Sequence, residues 1–301
     1  MAKHGVASIL TLALVLGVLA VTPKVVQSIG VCYGVNGNNL PSPSDVVKLY
    51  QSKGIDSMRI YFPRSDILRA LTGSNIALTM GVANENLSAF ASDPSAVANW
   101  VKQNVQAYPG VNFRYIAVGN EVDSGNTQNI LPAMQNMNNA LSAAGLSNIK
   151  YLASTGAPLL ANVYPYFSYV GNTAQIDIKY ALFTSPGTVV QDGGNAYQNL
   201  FDASVDTFYS ALERAGAGSV PIVVSESGWP SAGGTAASAS NAQTYNQNLI
   251  KHVGQGTPKR PGRIETYIFA MFNENDKRGD ETERHFGLFN PDQSPAYTIN
   301  F

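Results

Sequence analysis

Apolar residues along this chain fall into two alternating arrangements. Short β-branched runs at 29–35, 57–62, 76–82, 114–122, 159–166, 220–225 and 264–273 read as buried strands. Between them lie stretches with helical spacing, at 42–52, 66–71, 94–108, 130–144, 201–214 and 241–253. Ser42 is placed to cap the first, and Val97, Trp100, Val101 and Val105 form one face of the third. Residues 176–182 read as a weaker extended stretch. A βαβα series without a dinucleotide glycine fingerprint predicts an α/β fold, a (β/α)8 TIM barrel, with a doubly wound open sheet as the alternative.

One stretch breaks the rhythm. The helix ending near Gly145 is followed by Ser147-Asn148-Ile149-Lys150-Tyr151-Leu152-Ala153-Ser154 and then almost at once by the strand near 159. Parallel neighbours need a crossover of about a dozen residues or more, usually a helix. None is legible there, so the sequence predicts either an irregular barrel or one that lacks a strand and a helix.

The first residues carry a different signal. Lys3 and His4 precede an apolar stretch from Val6 to Val21, followed by Pro23 and the small residue Ser28. This predicts a secretory leader over 1–28 and a mature barrel over 29–301, exported to the extracellular space. The stretch is short for a membrane span, and no membrane partner is expected. The chain has a single cysteine, Cys32, so no internal disulfide can form and stability must come from the core. Cys32 reads as a small buried residue, not a nucleophile. Asn86-Leu87-Ser88 is a candidate glycosylation sequon. The net charge is -1 with no basic run, which argues against nucleic acid. The histidines His4, His252 and His285 are scattered, so neither a metal site nor a cofactor is expected.

The candidate chemistry lies after the strands, on the side where barrel enzymes place their sites. Glu121 follows Val118-Gly119-Asn120, and Glu226 follows Val224-Ser225 and precedes Ser227-Gly228-Trp229-Pro230. Burying an unpaired carboxylate is costly, so two at strand ends point to use. Glycoside cleavage needs this equipment: a proton donor at the leaving oxygen and a carboxylate at the anomeric carbon. Tyr33, Asn120, Tyr164 and Tyr166 sit at neighbouring strand ends, where aromatic faces and amides suit sugar rings and hydroxyls. Phe272-Asn273-Glu274-Asn275 closes the last strand, with Lys277, Glu281 and Glu283 close behind. Lys277 is a means of keeping a neighbouring carboxylate ionised. A lone glutamate after a strand is often only a cap or an ion-pair partner, and Glu274, Glu283, Tyr164 and Tyr166 admit that plain reading.

At these residues the chain resembles the plant β-1,3-glucanases of glycoside hydrolase family 17. The likeness runs from Ile29-Gly30-Val31-Cys32-Tyr33-Gly34 to Ile299-Asn300-Phe301 and includes the motifs around Glu121, Glu226 and Glu274. The resemblance implies a (β/α)8 barrel and retaining endo cleavage of β-1,3-glucan. It implies Glu121 as acid/base and Glu226 as nucleophile, with Glu274, Lys277 and Glu283 in support. Tyr33, Asn120, Tyr164, Phe183 and Trp229 match substrate-lining positions. The expectation is a monomer needing no cofactor or metal, located in the apoplast or cell wall; defence against fungal walls and remodelling of plant callose are both compatible with it. The departure is at Lys150–Tyr151, where relatives carry further residues for a fifth strand and most of the next helix. That junction reads as an internal deletion and the weak point of the fold. Two other readings follow: a mixed-linkage 1,3;1,4-β-glucanase, and a non-catalytic or unstable glucan-binding relic.

Overall fold

A computed structural model describes residues 29–149 and 157–301. The leader expected over 1–28 and the deletion expected at Lys150–Tyr151 lie outside the described residues. The strands, in chain order, are β1 (Ile29–Cys32), β2 (Ser57–Ile60), β3 (Ala77–Val82), β4 (Asn112–Val118), β5 (Leu159–Asn162), β6 (Val190–Asp192), β7 (Asn195–Tyr197), β8 (Ile222–Ser227) and β9 (Thr266–Ile268). The helices are α1 (Pro43–Ser52), α2 (Ser65–Leu71), α3 (Leu87–Ser92), α4 (Pro94–Val101), α5 (Ile130–Ala143), α6 (Pro165–Gly171), α7 (Ile178–Ala181), α8 (Leu200–Arg214) and α9 (Ala239–His252).

Seven parallel strands pair in the order β4-β3-β2-β1-β9-β8-β5, and β6 and β7 form a separate antiparallel hairpin. β1, β2 and β8 are buried along their whole length, as strands covered on both faces must be. That explains the apolar residues of β1 and of the first half of β8, while Arg59 of β2 and Glu226 of β8 are buried charges within the same layer. The helices form the outer layer. In α1, Ser42 caps by accepting from the Asp45 N–H, Pro43 opens the first turn, and Val46, Val47, Leu49 and Tyr50 face inward. Each such side chain contributes on the order of 1.5–3 kcal/mol by its burial. The Tyr50 hydroxyl also donates to the Val31 carbonyl at 3.0 Å, fixing α1 to β1.

The arrangement is a (β/α)8-type barrel with seven strands among the described residues, open between β4 and β5. These two strands are the edges of the sheet and do not pair with each other. A cleft of about 240 Å³ lies in the seam. Its walls are Tyr115–Gly119 after and within β4, Ile130 and Met134 of α5, and 157–160 at the start of β5. Of the two outcomes available to a barrel short of one strand, a gap or direct pairing of the flanking strands, the described residues take the gap.

Several elements differ from the sequence reading. The run at 159–166 is a strand only to Asn162, because Pro165 opens α6. Residues 176–182 are not extended: Asp177 caps α7 by accepting from the Lys179 N–H, and a good cap outweighs the β-branched residues there. The helix expected over 94–108 is α4 followed by a π-helical stretch, Lys102–Gln106. α3 and the β6–β7 hairpin had no legible signal in the periodicity.

Candidate active site

The C-terminal ends of the strands surround a cleft of about 340 Å³. Glu226, in β8, is at its floor and is 5% exposed. Every partner of its carboxylate donates. Arg59 Nη1 bonds Oε1 at 2.9 Å, the Tyr61 hydroxyl bonds Oε1 at 2.9 Å, and the Tyr164 hydroxyl bonds Oε2 at 2.7 Å. Burial pushes both tyrosine hydroxyls well above their ordinary range, and the nearby Glu226 adds to the shift, so they remain protonated donors. A buried carboxylate held by a guanidinium and two hydroxyls is compensated as an anion.

Glu121 occupies another wall of the same cleft and is exposed. β4 ends in an abrupt turn, in which Gly119 has φ 90° and Glu121 has φ 49°. A Cβ on Gly119 would come within 2.9 Å of Val122, so glycine is required there on both counts. The left-handed backbone of Glu121 costs on the order of 1–2 kcal/mol and turns its side chain toward the cleft. Asn84, after β3, anchors this turn by donating to the Asn120 carbonyl at 2.7 Å and accepting from the Asn120 N–H at 3.0 Å. Asn162 Nδ2 donates to Glu121 Oε1 at 3.0 Å.

Glu274, Lys277 and Glu283 line the same cleft. Glu274 is buried, which pushes its carboxyl above the ordinary range; the Asn36 N–H, bonded to Oε1 at 2.6 Å, and Lys277 pull it back in part. Gly34 makes room for it, since a Cβ there would lie 2.3 Å from Glu274 Oε2. Lys277 pairs with Glu283 at 2.9 Å and lies 4.0 Å from the centre of the Phe269 ring. Tyr33, Asn120 and Tyr164 also line the cleft, and the exposed rings of Phe62 and Phe167 stand at its rim.

Two expected lining residues are elsewhere. Trp229 is 0% exposed. Its ring packs against Tyr166 and Tyr245, and its Nε1 donates to the Ala236 carbonyl at 2.9 Å. It braces the wall and has no face left for a ligand. Phe183 packs against Phe201, Tyr245 and His252 and borders a separate cavity with Asn199 and Asp202. Cys32 is buried as expected, its thiol pushed up to about 12 by that burial and donating to the Ser225 carbonyl at 3.4 Å.

Sequence reasoning missed three residues that organise the site: Arg59, Tyr61 and Asn162. Arg59, in β2, is 3% exposed. Besides Glu226 it donates to the Ser225 carbonyl at 2.8 Å, to Asn162 Oδ1 at 3.2 Å and to Asn120 Oδ1 at 2.8 Å. A lone charge inside the apolar run 57–62 was the available signal.

Comparison with known proteins shows the family. The chain matches Glycosyl hydrolases family 17 over residues 29–151 and again over 147–301, two segments that meet at the irregular junction. It is 66% identical to the acidic isoform of glucan endo-1,3-beta-glucosidase from Zea mays, over 334 positions covering all of both chains. That alignment is longer than this chain, so the maize protein has residues without a counterpart here. It is 50% identical to Lichenase-2 from Hordeum vulgare, covering 93% of this chain and all of that one. Among solved structures, a plant beta-glucan endohydrolase superposes with a TM-score of 0.89 at 50% identity, over 90% of this chain and 100% of that chain. The chain belongs to glycosyl hydrolases family 17.

Proposed function

We propose that this protein is a secreted endo-β-1,3-glucanase that cleaves internal bonds of β-1,3-glucan with retention. The supporting observation is the pair of unlike carboxylates in one cleft. Glu226 is enclosed and compensated as an anion by Arg59, Tyr61 and Tyr164, while Glu121 is solvent-facing on another wall. An enclosed anion suits a nucleophile, and an accessible carboxyl suits proton exchange with leaving group and water.

In the first step the Glu121 carboxyl gives its proton to the glycosidic oxygen as the bond to the anomeric carbon breaks. A Glu226 oxygen then bonds that carbon. In the second step Glu121 takes a proton from water, the water oxygen bonds the anomeric carbon, and Glu226 leaves with its electron pair. The rings at the cleft rim offer apolar faces to the sugars. The likeness to the maize protein favours the 1,3 linkage; the likeness to Lichenase-2 makes mixed-linkage glucan the second substrate to try.

Release of reducing ends from laminarin, beside lichenan, tests the reading. Faster release from laminarin, with the β-anomer seen first by proton NMR, is expected. Absence of release from laminarin overturns it, and a first-formed α-anomer overturns retention.

A further inference from the structure

Asn162 ends β5 on one side of the seam, and Glu121 follows β4 on the other. No strand among the described residues lies between them, so the β4 end is held from one side only, by pairing with β3 and by Asn84. The Asn162 carboxamide spans the opening with its hydrogen-bonding capacity filled. Its Oδ1 accepts from Arg59 Nη1 at 3.2 Å and from Ser225 Oγ at 2.9 Å. Its Nδ2 donates to Glu121 Oε1 at 3.0 Å and to Asn120 Oδ1 at 3.3 Å. Arg59 can only donate, which fixes the orientation of the amide: oxygen toward Arg59, nitrogen toward Glu121. The same guanidinium bonds Glu226, so one chain of polarised bonds joins both carboxylates.

We propose that Asn162 is the positioning residue of the acid/base glutamate. It holds the Glu121 carboxyl across the seam and, by donating to Oε1, reserves Oε2 for the proton that passes to the leaving oxygen. This rests on the reading of Glu121 as acid/base. A protonated carboxyl has one O–H and one acceptor oxygen, and an oxygen receiving an N–H bond is the acceptor. In the return step Oε2 is again the free site, and it takes the proton from water. An exposed glutamate without this clasp would spread over its rotamers, and that freedom would have to be lost at each proton transfer.

The test uses Asn162→Ala and Asn162→Asp in the full chain, with kcat/KM measured on laminarin and on 2,4-dinitrophenyl β-laminaribioside, and with melting curves beside both. The dinitrophenolate departs without a proton, so loss of acid positioning should hardly matter for that substrate. Asn162→Ala is expected to lose about tenfold to a hundredfold on laminarin and little on the aryl substrate. Asn162→Asp keeps the shape and the bonds from Arg59 and Ser225, but turns an acceptor toward Glu121. It is expected to lose at least as much as Asn162→Ala on laminarin. Equal losses on both substrates, or a parent-like laminarin rate in Asn162→Asp, would overturn the proposal and leave Asn162 a packing residue. A parent chain inert toward both substrates overturns the glucanase reading itself.

Discussion

Arg59 and Glu226 form an ion pair 2.9 Å apart, their side chains 3% and 7% exposed, linking β2 to β8 across the mouth of the barrel. Removing both partners of a buried pair can be nearly neutral, but removing one strands the other charge in a poor dielectric. Arg59→Met should therefore destabilise the fold by about 3–5 kcal/mol and stop turnover. Denaturant unfolding gives the first quantity and laminarin hydrolysis the second. Parent-like stability would mean that solvent reaches Glu226 more freely than its burial indicates.

The two carboxylates should respond differently to removal of their charge. Glu226→Gln is expected to abolish turnover of every substrate. Glu121→Gln should lose about 10²–10⁴-fold on laminarin, and much less in kcat/KM on an aryl glucoside with a good leaving group. Steady-state kinetics on the two substrates decides it, and matching losses for both variants would show the roles to be misassigned.

Burial holds the Glu274 carboxyl above its ordinary value, so the folded protein binds that proton more tightly than the unfolded chain does. Its contribution to stability is complete below the unfolded value of about 4.3 and is lost as pH rises through the folded value. Glu274→Gln removes this dependence. The unfolding free energy of the parent minus that of the variant should fall as pH rises across the acid range. A difference that grows with pH would contradict the burial argument.

The seam between β4 and β5 should limit stability. Both edges offer backbone groups, and the cleft between them leaves Ile130, Leu159 and Leu160 only partly buried. Inserting at 150–151 the residues that the maize relative has and this chain lacks should fill it. An increase in melting temperature of roughly 5–15 °C is expected, at about 2–4 °C per kcal/mol, together with faster laminarin hydrolysis. Scanning calorimetry and the reducing-sugar assay test both. Identical melting and identical rates would show the seam to be harmless.

What the sequence determined by itself was the architecture and the carboxylates. Parallel strands buried on both faces are written as continuous apolar runs, and amphipathic helices repeat at their own period, so β1, β2, β8, α1 and α8 were all legible from local pattern. Glu121 and Glu226 stood out because a charge ending such a run is costly unless used. The irregularity near 150 was visible too, as a place where the alternation of strand and helix breaks. What only the tertiary structure decided was the company these residues keep. Arg59 and Asn162 are far apart in sequence from both Glu121 and Glu226, and no spacing rule relates them. Their contacts exist because the curl of the sheet brings the ends of β2, β5 and β8 and the turn after β4 to one mouth. The same packing places Trp229 and Phe183 outside the cleft. An aromatic ring's local sequence is the same whether it faces a ligand or the core; packing against Tyr166 and Tyr245 buries Trp229, while Phe183 stays half-buried beside a separate cavity.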